Sequence, residues 1–206
     1  ELSYDQEKTI QEVRKQIEEC LPDIMERMLY TGRLNRRYGL ELLLQAMKEL
    51  HDPDIELWLC GSGEMEEEIR AYAAQDPRIR FFGFLPHVEA VQLQKKATVL
   101  VNPRTNQGEY TKYSFPSKTM EYMASGRPVM MFRLDGIPGE YDPFLTYIPE
   151  ESAASVRDTV ESLRKLSPSE LDEMGARGRE FVLKNKNRNV QMRRVLDFIH
   201  KEQSNA

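Results

Sequence analysis

The chain has 206 residues, 40% of them hydrophobic and 31% charged, with 29 Lys and Arg against 34 Asp and Glu and a net charge of −5. This is a globular composition, long enough for one large domain or two small ones, and it excludes disorder as the main state. Mild acidity excludes a general nucleic-acid binder, which carries a basic excess; two cysteines, Cys20 and Cys60, exclude a disulfide framework and a zinc site and point to a reducing cytosol.

Residues 1–26 read as a polar amphipathic helix carrying Ile10, Val13 and Ile17 and ending near Leu21-Pro22, a linker or the remnant of a preceding domain. The N-terminus, Glu1-Leu2-Ser3-Tyr4-Asp5, has neither an initiator Met nor a signal sequence, so an excised fragment is expected. No stretch approaches the roughly 20 apolar residues of a membrane span. From residue 27 to about 203 a single α/β domain is expected. Strand-like runs at Met28–Thr31, Ile55–Cys60, Ile79–Phe82, Thr98–Val101 and Pro128–Phe132 alternate with helical patterns, the signature of βαβ units around a parallel sheet. The helices are marked by Leu40, Leu43, Leu44 and Met47; by Met65, Ile69 and Tyr72; by the interval Val88–Lys96; and by Met120, Met123 and Ala124.

After Tyr147 the strands are expected to stop and three helices to follow. Ser167-Pro168-Ser169-Glu170 predicts a helix start with a capping Ser, a Pro in the first turn and a Glu at the third position. Met192, Val195, Leu196 and Ile199 form an apolar stripe on the last helix. Arg177 to Lys201 holds eight basic and two acidic residues, a +6 segment that leaves about −11 for the rest of the chain. It reads as a solvated helical face, with contact to an anionic membrane surface or to another domain as the alternative.

In open parallel α/β sheets the ligand crevice lies beyond the C-terminal ends of the strands. The first such loop, Gly32-Arg33-Leu34-Asn35-Arg36-Arg37-Tyr38-Gly39, suits a phosphate or is a plain solvated turn. Neither it nor Gly61-Ser62-Gly63 forms a dinucleotide glycine fingerprint, so a nicotinamide enzyme is poorly supported. Gly83-Phe84-Leu85-Pro86 offers backbone groups and an apolar wall to a base, or tucks Phe84 into the core.

The segment Tyr113 to Pro128 carries the most information. Pro116 reads as a first helical position, so the N–H groups of Ser117, Lys118 and Thr119 would face an anion, helped by the Ser117 hydroxyl and the Lys118 ammonium. Glu121 lies one turn deeper on the same face, either to accept from a sugar diol or to form a surface pair with Lys118. A phosphate and a diol together describe a nucleotide.

These loops, with Val101-Asn102-Pro103, Glu121-Tyr122-Met123-Ala124-Ser125-Gly126-Arg127-Pro128 and Gly136-Ile137-Pro138-Gly139-Glu140, stand in the order of the C-terminal half of retaining family 4 glycosyltransferases, which the chain resembles over about residues 27–200. The resemblance implies an α/β, Rossmann-like parallel sheet flanked by helices, one half of a GT-B fold, with C-terminal helices. It implies a nucleotide-sugar donor site with a separate N-terminal domain holding the acceptor, in a metal-independent hexosyltransferase of surface polysaccharide or glycolipid synthesis. The enzyme is expected in the cytoplasm, at the inner face of the membrane and in peripheral contact with it; the fragment alone is expected to be inactive.

By residue, the resemblance assigns Glu121 to the donor ribose, Arg33 and Lys118 to the diphosphate, Gly83, Phe84 and Leu85 to the base, and Ser114, Phe115, Pro116, Ser117 and Thr119 to the phosphate-binding helix start. Gly32 belongs to the first loop, where Arg37 or Lys118 would replace a family Lys whose position is occupied by Tyr38. A family glutamate eight positions before Glu121 is replaced by Tyr113, with Glu109 the nearest acid. His87, Asn102, Arg104, Asp135 and Glu140 are further candidates around the same crevice. A nucleotide-sugar 2-epimerase on the same fold, or a nucleotide-binding or interaction module without chemistry, are the alternatives; the epimerase reading would call for cleft acids and a histidine, and the histidines here are His51, His87 and His200.

Overall fold

The computed structural model describes residue 11, residues 26–106 and residues 109–204, so apart from residue 11 the expected N-terminal helix lies outside the described residues. Six strands, β1 (Glu26–Arg33), β2 (Ile55–Ser62), β3 (Ile79–Phe81), β4 (Val99–Asn102), β5 (Val129–Phe132) and β6 (Thr146–Ile148), form one sheet in the order β3-β2-β1-β4-β5-β6. Every neighbouring pair is parallel. Among the described residues they are accompanied by the helices α1 (Leu40–Glu49), α2 (Glu66–Gln75), α3 (His87–Lys96), α4 (Ser117–Ser125), α5 (Ala153–Leu163), α6 (Pro168–Asn185) and α7 (Arg188–Ser204).

The strands are apolar runs because both sheet faces are covered, and their residues divide by alternation between two cores. Met28 and Tyr30, Leu57 and Leu59, and Met130 and Phe132 point to the side of α1 and α5, where Leu43, Leu44, Val156 and Val160 meet them. Leu29, Trp58, Leu100 and Met131 point to the other side, against Leu93 of α3, Tyr122 and Met123 of α4 and Val182 of α6. The five expected strands are present. The sheet has one more than expected: β6 pairs with β5 through Met130 with Thr146 and Phe132 with Ile148. β3 is as short, but Ile79–Phe82 follows a helical pattern as a βαβ unit requires, whereas β6 follows β5 through a 3-10 turn, Gly139–Phe144, and its place at the sheet edge is set by tertiary pairing.

The three C-terminal helices form as expected. Ser167 caps α6 in a full capping box, its hydroxyl accepting from the Glu170 N–H at 3.3 Å while the Glu170 carboxylate accepts from the Ser167 N–H at 2.7 Å. The basic segment is not uniformly solvated. Lys186 pairs with Glu140 and lies over the Tyr141 and Phe181 rings, its side chain only 8% exposed. Met192, Val195 and Leu196 of the apolar stripe are solvent-facing on α7.

At the N-terminal end of the sheet, away from the loops that carry the motifs, Glu56 is almost fully buried. It accepts from the Trp58 indole N–H at 2.8 Å, pairs with Arg80 at 2.7 Å and lies 3.9 Å from Arg27, whose guanidinium stacks on the Trp58 ring.

Candidate functional site

The sheet order reverses direction between β1 and β4, so the crossovers on either side diverge and leave a crevice at the C-terminal strand ends. β1 and β4 pair only through Met28 with Val99 and Leu29 with Leu100, then separate. Beyond that point the β1 backbone lacks a strand partner on this side, and the buried Tyr122 hydroxyl from α4 takes the place of one. It accepts from the Thr31 N–H at 2.7 Å and donates to the Thr31 carbonyl at 3.0 Å. Burial pushes the Tyr122 phenol well above its ordinary range, so it stays protonated as a donor. Tyr122→Phe would leave the buried Thr31 N–H orphaned. We expect it to cost about 1–3 kcal/mol in denaturant unfolding and to speed hydrogen exchange at the Thr31 amide.

The crevice has a volume of about 680 Å³, within the usual range for small-molecule sites, and its walls come from the loops after β1, β2, β3 and β4 and from the start of α4. Gly32 and Gly61, side by side on β1 and β2, make its floor. Gly61 at the end of β2 lies so close to β1 that an added Cβ would sit 1.7 Å from the Gly32 carbonyl oxygen, and its N–H donates to the Gly83 carbonyl at 2.8 Å. Gly39, at φ +75° before α1, abuts the Pro103 carbonyl in the same way, with 2.0 Å to a would-be Cβ.

The structure brings Gly32, Arg33, Phe84, Leu85, Phe115, Pro116, Ser117 and Lys118 together on the crevice wall. Phe84 is 62% exposed there, so it is not tucked into the core. Arg33 has no side-chain hydrogen bond or ion pair among the described residues, whereas the other two arginines of the first loop are engaged. Arg36 ties the loop to Glu41 and to Glu68 of α2. Arg37 lies over the Tyr38 ring at 5.1 Å and does not line the crevice; the Tyr38 ring itself does.

The start of α4 differs from expectation by one residue. Pro116 has ψ 112°, an extended cap in place of a first helical residue, and the helix opens at Ser117. The Thr119 N–H therefore bonds the Pro116 carbonyl at 2.9 Å. Its fully buried hydroxyl faces Asn102 at 3.4 Å, so Thr119 is not brought to the crevice. The N–H groups of Ser117 and Lys118 remain at the positive end of the helix dipole. Ser114 accepts from Arg104 at 2.8 Å and buttresses that wall from behind; Gly83 spends its carbonyl on Gly61.

Glu121 sits just below the crevice. Its Oε1 accepts from the Lys118 ammonium at 2.8 Å and from the Gln94 amide at 2.6 Å; each donor also reaches the Thr31 hydroxyl, at 3.4 and 3.2 Å. The pair with Lys118 read from the sequence is thus formed, on a carboxylate that the buried Gln94 holds as well. Burial works to raise the Glu121 pKa, but the hydrogen bonds from Lys118 and Gln94 and the charges of Lys118 and His87 outweigh it and hold the carboxyl below its usual range.

Residues 26–165 match the family model for glycosyl transferases group 1. The chain belongs to that family. WcaL of Escherichia coli (strain K12), which carries the name of a colanic acid biosynthesis glycosyltransferase, is 25% identical over 179 residues, 84% of this chain and 44% of WcaL. The D-inositol 3-phosphate glycosyltransferase of Corynebacterium diphtheriae is 34% identical over 122 residues, 54% of this chain and 27% of that protein. The chain spans less than half the length of these curated relatives. Among solved structures, HepE of Anabaena in complex with UDP and glucose superposes with a TM-score of 0.71 at 13% identity, covering 94% of this chain and 52% of HepE. That likeness is one of fold, a Rossmann-like half of the GT-B architecture.

Within this group 1 chain, several candidates stand apart from the crevice. Tyr113, at the place of the family's first glutamate, closes a 3-10 turn, Glu109–Tyr113, and is 89% exposed; Glu109 opens the same turn and is also exposed. Glu140 is taken by Lys186, and Asp135 accompanies Asn106 through its N–H at 3.2 Å. Asn102, Arg104 and His87 do line the crevice. Sequence reasoning missed Thr31 and Gln94. Gln94 had a signal: it is a polar residue in register with the buried apolar positions Ala90, Leu93 and Ala97, and a buried polar side chain needs a partner. No helix among the described residues is long and apolar enough to cross a membrane.

Proposed function

We propose that the crevice is the donor site of a retaining, metal-independent hexosyltransferase, binding a nucleotide-diphospho-sugar whose glycosyl group passes to a saccharide or lipid-linked acceptor held by a separate N-terminal domain. The observation that carries this reading is a crevice at the sheet's switch point where cations (Arg33, Lys118, Arg104) and the free N–H groups of a helix start adjoin an ionised carboxylate, Glu121. Arg33, Lys118 and the Ser117 and Lys118 N–H groups would hold the diphosphate, Glu121 the ribose diol, and Phe84 with the Gly83–Leu85 backbone the base. The same cations would stabilise the departing nucleoside diphosphate, electrostatic preorganisation in place of a divalent ion. The UDP-bound HepE fold and the colanic acid name of WcaL support the donor class and a surface-polysaccharide or glycolipid pathway; the same reading places the enzyme in the cytoplasm, with peripheral contact at the inner membrane face.

A thermal-shift screen against UDP, GDP, ADP and CDP tests this. A ligand at a hundred times its Kd adds about 2.7 kcal/mol of stability, a rise of several degrees in Tm for a chain of this size. Stabilisation by one of the four is expected, and by none would reject the donor-site reading. The chain by itself is expected to bind without transferring sugar; turnover by it would reject the two-domain requirement.

A further inference from the structure

Gln94 is fully buried on the inner face of α3, yet it lies behind the crevice and not on its wall. Its amide nitrogen is shared between Glu121 Oε1 at 2.6 Å and Thr31 Oγ1 at 3.2 Å. Its own Oε1 is buried with no hydrogen-bond partner among the described residues. An unsatisfied buried carbonyl is a standing cost, and turning the amide over to relieve it would set that oxygen against the Glu121 carboxylate. The orientation is therefore fixed by Glu121.

Lys118 is the other donor to the same carboxylate oxygen, and its ammonium is also the group the crevice offers to an anion. The two donors differ in freedom. Lys118 is about one-third exposed on a flexible stem, while Gln94 is locked in the core. We infer that Gln94 is the positioning residue of the donor site, holding Glu121 ionised and aimed when Lys118 turns from it to a bound diphosphate. This rests on the donor-site reading above. The charged and titratable groups acting on Glu121 are Lys118 and the neighbouring Tyr122 of its own helix and His87 at the head of α3; Thr31 of β1 and Gln94 of α3 face it as neutral groups.

The test replaces Gln94 by Met, of similar shape without donors, in the wild-type chain and in a Lys118→Met background that reproduces the departure of the ammonium. The Glu121 carboxyl is followed by 13C NMR titration without ligand. Removing a donor to the charged form raises a carboxyl pKa. The Glu121 midpoint is expected to move up by about one pH unit in the Lys118→Met background, the size of one hydrogen bond to a charged group, and by less when Lys118 is present. Gln94→Met also removes the orphaned oxygen, so its Tm is expected to stay within about 2 °C of the parent. Calorimetry with UDP then reads a loss of affinity whose acid limb lies at higher pH in the variant, with Gln94→Glu failing to restore it at neutral pH. A Glu121 midpoint indifferent to Gln94 in both backgrounds overturns the inference, whether or not UDP binds. Absence of binding by UDP, GDP, ADP and CDP alike with a shifted midpoint counts against the nucleotide assignment and leaves the role of Gln94 in place.

Discussion

Glu56→Ala is expected to destabilise the domain by about 3–5 kcal/mol, the cost of breaking a buried ion pair by removing one member of it. Glu56 is 1% exposed; it accepts from the Trp58 indole, pairs with Arg80 at 2.7 Å and lies 3.9 Å from Arg27, so its removal takes a hydrogen bond and two charge interactions from the cluster at once. A midpoint of thermal unfolding lower by on the order of 10 °C is the corresponding observation. Because the cluster sits at the opposite end of the sheet from the crevice, nucleotide affinity measured below the lowered Tm should be unchanged. A loss of affinity in the folded variant would show that the two ends of the sheet are coupled.

Arg33→Ala and Lys118→Ala are each expected to weaken binding of the cognate nucleoside diphosphate about tenfold to a hundredfold, the worth of one charge-assisted hydrogen bond to phosphate. Their effects on the empty protein should differ. Arg33 has no side-chain partner to lose among the described residues, so its removal should leave Tm within about 1 °C, as is usual for surface substitutions away from structural contacts. Lys118 holds Glu121 at 2.8 Å, so Lys118→Ala leaves the carboxylate with Gln94 alone, and a small loss of stability at neutral pH that vanishes on acidification should accompany the loss of affinity. The acid limb has that sign because the depressed Glu121 carboxyl contributes stability only while it is ionised, and the contribution is lost as pH falls. Unchanged calorimetric affinity in both variants would reject the phosphate assignment.

Both buried faces of the sheet made the five apolar runs readable as strands, since a strand covered on each side needs no polar alternation. β6 was unreadable because Thr146–Ile148 is defined by its pairing with β5. The crevice was legible at the level of loops and less so at the level of side chains. Arg33, Arg36 and Arg37 are equivalent in a sequence; a 3-10 turn at Arg36–Tyr38 decides that Arg33 faces the ligand space while the others bind Glu41, Glu68 and Tyr38. Pro116 marked a helix start correctly but as a cap, because its ψ is extended, and that single residue of offset turns Thr119 inward. Gln94 is 27 residues from Glu121 and Thr31 is 87 residues from Lys118, and only the fold joins each to the group it serves.

The seam between Gly61 and Gly32, where two main chains meet with no room for a methyl group, ties the loops after β1 and β2 into one unit. A floor made of backbone offers nothing for side-chain substitution to remodel. Ligand preference in this domain therefore has to be rewritten at the rim, at positions such as Tyr38, Phe84, His87 and Arg104, while the floor is inherited unchanged. Libraries aimed at a new donor should vary those four and hold both glycines fixed.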